Sequence, residues 1–165
     1  MTNSKFEAPW GALLWVFTSL GCVVVVGGFA AVAMNAAMPP PARLTLCTVF
    51  AVTLIGCALT AVRGYRLEDG ALVIERLGWE KRVPLAGLRA ATHDKSLLDG
   101  ALRVGNGGLF AFAGMFWSRK LGWFHLVGND ILGRPVLLEF ADQKWLVTPD
   151  DPERFIAELR LPTNT

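Results

Sequence analysis

The chain has 165 residues, 53% of them hydrophobic and only 18% charged, with a formal net charge of +2. A mean hydropathy of +0.41 is too high for an ordinary soluble domain of this length. Lys5, Glu7 and Arg43 are the only charged residues before Arg63, and the 14 basic and 13 acidic residues that follow nearly cancel, which excludes the strongly basic class of nucleic-acid binders.

The apolar excess therefore lies in the first third of the chain. After a tail over residues 1–9, Trp10 to Met38 and Leu44 to Val62 are two uncharged apolar runs separated by Met38-Pro39-Pro40-Pro41-Ala42-Arg43. A helix rises about 1.5 Å per residue and the hydrocarbon core is about 30 Å thick, so roughly 20 residues suffice to cross it. Both runs qualify, and a membrane α-helical hairpin of two spans is expected over residues 10–62, with its turn near 39–43 at the prolines. Lys5 and the small-residue triplet Ala31-Val32-Ala33 also suggest a signal peptide, but the apolar run is far longer than a signal core and a second span follows at once.

Lys5 before the first span and Arg63 and Arg66 after the second outnumber Arg43 in the connection, which places both termini in the cytoplasm. Trp10 and Trp15 suit the headgroup layer as anchors, while Arg63 and Arg66 follow the second span as topological charges. Cys22, Cys47 and Cys57 lie inside the apolar runs and read as small hydrophobes rather than disulfide or zinc ligands. Gly27 with Ala31 and Gly56 with Thr60 have the four-residue separation that lets helices approach, permitting packing of the two spans on each other or a homodimer. No Asp, Glu, Lys, Arg or His lies within either span, so no proton relay or ion pathway is expected.

Residues 63–165 read as one domain of about a hundred residues, enough for a single core. Arg66 to Arg76 holds an Asp-Gly turn followed by an apolar run, and Trp79 to Leu85 continues a strand meander. Leu121 to Val127, Pro135 to Phe140 and Lys144 to Val147 are further strand-like runs, punctuated by Asn129-Asp130, Gly133-Arg134 and Ala141-Asp142. Asp150-Asp151-Pro152-Glu153 then caps a short amphipathic helix carrying Phe155, Ile156 and Leu159. Arg103 to Phe110, Gly114-Met115-Phe116, Leu121-Gly122-Trp123-Phe124 and Leu146 to Ile156 resemble bacterial PH-like (pleckstrin-homology-like) domain proteins over roughly Tyr65 to Leu161. The resemblance implies a mainly-β PH-like barrel closed by a C-terminal helix and a multi-pass location in a bacterial inner or plasma membrane; it brings no shared catalytic residue. A parallel sheet, or a first span continuous with a soluble core, would rule that assignment out.

The segment Phe110 to Phe124 carries the strongest candidate contact surface: Phe116, Trp117 and Trp123 accompany Arg119 and Lys120, which suits a membrane interface or a protein partner. The competing reading buries most of these rings in the barrel. Arg103 beside Gly105-Asn106-Gly107-Gly108 is a candidate anion contact, although the glycines lack a phosphate-loop sequel and read as backbone permissiveness. His93, His125, Ser96 and Ser118 sit in no catalytic or metal-binding pattern, so no catalytic residue, metal or cofactor is expected. The expected function is a non-enzymatic, membrane-anchored interaction module. Its partner is the bilayer together with a protein or peptide that adds to a sheet edge or lies between the edge and the terminal helix, or alternatively an anionic lipid met by Arg119 and Lys120. An enzyme acting on a membrane substrate would require a cleft of convergent titrating groups.

Overall fold

The computed structural model describes residues 4–95 and 102–159, with side chains described outside 102–107. The tail supplies a strand, β1 (Ser4–Glu7), which alternates buried Ser4 and Phe6 with exposed Lys5 and Glu7. Two apolar helices follow, α1 (Ala12–Met34) and α2 (Pro40–Leu59). The prolines do not form the turn. Pro39 is the N-cap and Pro40 and Pro41 occupy the first turn of α2, where their missing N–H groups are orphans in any helix, so the reversal falls at Asn35 to Met38 and Arg43 belongs to the helix. Asn35 closes that reversal by accepting from Ala37 N at 3.1 Å.

Gly27 and Gly56 have no neighbour within 4 Å of where a Cβ would sit, whereas a Cβ on Gly28 would lie 2.9 Å from the tip of the Phe50 ring. The α1–α2 contact therefore runs along a different stripe from the one the small-residue spacing suggests.

The rest is strand: β2 (Val62–Glu68), β3 (Ala71–Arg76), β4 (Glu80–Pro84), β5 (Ala90–His93), β6 (Leu102–Gly107), β7 (Phe112–Ser118), β8 (Gly122–Gly128), β9 (Val136–Glu139) and β10 (Lys144–Val147), followed by α3 (Pro152–Glu158). A four-stranded sheet has the order β1-β2-β3-β4, and a six-stranded sheet the order β5-β9-β10-β8-β7-β6. The sheets do not close into the expected barrel. After β4 the chain turns at Leu88, Arg89 N donates to Glu139 O, and β5 pairs with β9, so the next strand joins the second sheet instead of extending the first. One pairing is parallel, because β10 returns beside β8 in the register Leu146 to Leu126.

The six-stranded sheet carries a hydrophobic core on each face. Along its strands alternate residues point oppositely. Val136, Leu138, Trp145 and Val147 meet Phe6, Tyr65, Leu72 and Ile74 of the four-stranded sheet, with Phe155 and Leu159 of the terminal segment filling the side of that core. Phe6 and Tyr65 are register partners, and the Phe155 ring packs edge-on to Phe6 at 5.1 Å. Leu126, Leu137, Leu146, Phe112, Phe116 and Phe124 face the other way and are covered by Leu14 of α1, with Trp10 and Leu13 beside it. Asp151 caps α3 by accepting from Arg154 N at 3.0 Å, as the acidic run before Pro152 indicates.

Candidate functional site at the neck and the aromatic hairpin

The helical pair is inserted between two strands that are bonded to each other, since β1 and β2 pair antiparallel from Ser4–Leu67 to Glu7–Gly64. Asn129, just beyond β8 and fully buried, holds the two ends together. Its Nδ2 donates to Ala8 O at 2.7 Å and to Val62 O at 2.8 Å, while Gly11 N donates to Asn129 O at 3.3 Å. Asn129 N in turn donates to Thr148 Oγ1 at 2.9 Å. The buried Tyr65 hydroxyl donates to Val127 O at 2.9 Å and accepts from Thr148 N at 3.1 Å. Burial, only partly offset by the Thr148 hydrogen bonds, pushes the Tyr65 hydroxyl up to about 12.

A second attachment joins α1 to the loop after β6. Thr18 Oγ1 donates to Gly108 O at 2.9 Å and accepts from Phe110 N at 3.1 Å, satisfying two main-chain groups of a loop that contains the left-handed residue Phe110. Gly108 (φ 113°) is required here twice, by its backbone and by Phe17, whose Cβ would lie 2.9 Å from an added methyl. The glycine cluster thus serves close helix approach at Gly108. Arg103 is placed in β6, but its side chain lies outside the described residues, as does Ser96.

Beside the neck is a polar cavity of about 600 Å³ lined by Lys5, Glu7, Arg63, Glu75, Arg76 and Trp79, among others. Trp79 Nε1 donates to Leu59 O at the end of α2 (3.1 Å), and the Arg76 guanidinium stacks over its ring at 4.4 Å. Desolvation lowers the Arg76 pKa. Arg66 is drawn into a network on the outer sheet face, with Glu80 at 2.6 Å and Glu75 at 2.9 Å, so it is a structural charge as well as one that follows α2.

The aromatic segment divides between the two readings. Phe116 is 4% exposed, stacks on Phe124 and belongs to the core under α1, so it is no contact residue. Period two explains this: Phe112, Gly114 and Phe116 face α1, whereas Met115 and Trp117 face away. Trp117 is half-buried and in register with Trp123, which is 58% exposed, and Met115 is 45% exposed. Arg119 and Lys120 are exposed at the turn joining β7 to β8. His125 stacks on Trp145 at 4.6 Å, the Lys81 ammonium lies 4.6 Å from the same Trp145 ring, and burial followed by the Lys81 charge lowers the His125 pKa. His93 Nδ1 donates to Pro135 O at 2.8 Å and Ser118 accepts from Leu121 N at 3.1 Å, which are structural duties. Trp15 is 59% exposed, while Trp10 packs against it and against the second core. Neither Asn129 nor Thr18 stands out in the sequence; the one available signal is the hydroxyl pair Thr18-Ser19 early in an apolar helix.

Two packed sheets, a terminal helix in their first core and an apolar helical pair spliced into one sheet edge define a small β module of the PH-like class. A family model described as bacterial PH domain matches residues 63–161, more than half of the chain. The chain belongs to that family, and α1, whose first turns are continuous with the core, lies outside the matched region. The match stands although α1 runs continuous with the core and β10 pairs parallel with β8, so, contrary to the expectation from sequence, neither feature excludes the family. No curated protein and no solved structure matches the chain.

Proposed function

We propose that α1 and α2 cross a bilayer as a hairpin and hold the PH-like module at its cytoplasmic face, where it binds a protein or peptide partner without catalysis. Both helices are long and apolar enough to span, with mean hydropathies of 2.2 and 1.9. Because β1 and β2 are adjacent in one sheet, a hairpin leaving from one must return to the other, so the N-terminus and the module share a side. Lys5, Arg63 and Arg66 then select the cytoplasm over the side of Arg43. PH-like domains are generally non-catalytic.

The observation that carries the partner reading is the exposed pair Met115 and Trp123 beside half-buried Trp117, apolar area on a sheet face that the other sheet leaves open. Arg119 and Lys120 at the adjoining turn favour a partner with acidic groups; the same two cations support anionic-lipid recognition as the second reading. The test is capture of the full-length protein from gently solubilised membranes, comparing it with a Met115→Ser/Trp123→Ser variant of equal thermal stability. A stoichiometric protein lost with the variant supports the partner reading. Retention of the same protein by the variant removes this face from it, and salt-sensitive binding to anionic vesicles that Arg119→Gln/Lys120→Gln abolishes would favour the lipid reading.

A further inference from the structure

The cavity at the neck has an unusual charge inventory. Lys5 Nζ meets Glu75 at 3.1 Å, and Arg66 neutralises Glu75 and Glu80, so those charges are spoken for within the sheet. What remains facing the cavity is Arg63, Arg76 and Glu7, none of which has an ion-pair partner among the described residues. Arg76 is held by its stack on Trp79, and its Nε is buried without a hydrogen-bond partner among the described residues. Two guanidinium groups and one carboxylate around one cavity call for a ligand carrying both signs.

Position narrows the ligand class. Trp79 is bonded to the last-turn carbonyl of α2, its ring is 46% exposed, and exposed Leu77 stands beside it with its N–H on Ala61 O. Given the bilayer anchoring proposed above, on which this inference rests, the tip of the β3–β4 hairpin lies at headgroup depth, where indoles concentrate. We propose that this cavity receives the zwitterionic headgroup of a bilayer phospholipid bearing a primary ammonium, its phosphodiester on Arg63 and Arg76 and its ammonium on Glu7. A phosphoglycerol headgroup satisfies the arginines but sets a neutral diol against Glu7. A phosphocholine headgroup offers Glu7 a cation with no N–H to donate.

Glu7 can be changed without dismantling the strand, because its links to Asp150 use main-chain atoms: Glu7 N donates to Asp150 Oδ1 and Asp150 N donates to Glu7 O. The full-length protein in mild detergent would be offered equal amounts of phosphatidylethanolamine, phosphatidylglycerol and phosphatidylcholine with matched six-carbon chains, and bound lipid counted by native mass spectrometry. One retained phosphatidylethanolamine is expected, with affinity about tenfold or more lower in Arg63→Gln/Arg76→Gln, and with its preference over phosphatidylglycerol erased in Glu7→Gln. Equal retention of the three lipids, or indifference to the arginine pair in variants of unchanged melting temperature, overturns the proposal. Displacement of the lipid by an equal concentration of free phosphoethanolamine overturns the bilayer as its source. Alkaline extraction of membranes separately reads whether the hairpin is integral, so a failure of anchoring is distinguished from an empty cavity.

Discussion

The two apolar helices look alike in composition and behave differently in the fold. α1 and α2 have 23 and 20 residues, yet α1 buries Leu14 and Thr18 while α2 buries none among the described residues. The difference arises from what each helix finds opposite it. α1 begins over the phenylalanine face of the six-stranded sheet and carries a hydroxyl where a loop offers one free N–H and one free carbonyl. α2 meets the module at its end, where the Leu59 carbonyl receives Trp79 and the Leu59 side chain lies against Gly78. Apolarity thus makes both helices insoluble alone, but shape and one hydrogen-bonding group decide which is fixed to the module.

Leu14→Ala is the sharpest way to break that contrast. It should destabilise the full-length protein by about 2–5 kcal/mol in denaturant or thermal unfolding, because a fully buried side chain is removed from between helix and sheet. Val52→Ala, at an exposed α2 position, should stay within about 0.5 kcal/mol. Asn129→Ala strips both donors from the buried Ala8 and Val62 carbonyls and should cost about 2–4 kcal/mol, with faster amide exchange in β1.

Tyr65 makes the same point by titration. With its folded pKa near 12 against 10 in the unfolded chain, the group stabilises the fold fully below about pH 10, and that contribution of about 2–3 kcal/mol is lost as pH rises from 10 through 12. Tyr65→Phe should flatten this limb of the stability profile relative to the natural protein. The smallest contrast pairs two glycines. Gly108→Ala should cost about 1–3 kcal/mol through its positive φ and Phe17, whereas Gly56→Ala, in open space, should be neutral or slightly stabilising.

Much of the module was legible. The Asp-Gly turn, the run Leu72 to Ile74 and the Asp151 cap act locally, so the sequence signals them directly. The closed barrel was not obtained, because which strand β5 joins depends on Arg89 reaching Glu139, a contact made across the chain. β1 is faint in the sequence for a similar reason: four alternating residues are a weak signal, and their partner strand follows two whole helices later. Among the candidate contacts, alternation along β7 would have separated buried Phe116 from Met115 and Trp117, had the strand's limits been known. The neck itself was hidden because Asn129 sits in an Asn-Asp pair that reads simply as a turn.

Splicing the helices between β1 and β2 also sets an order of events during synthesis. β1 leaves the ribosome before β2 and has nothing to pair with until about 60 further residues have been made and both helices have reversed direction, a closure whose entropy only the completed hairpin supplies. Phe6 then completes the core against Tyr65 and Phe155, and Asn129, made later still, locks the junction. The module's first strand is in this sense a receipt for the hairpin: the sheet acquires its edge only in molecules whose helices have already turned back.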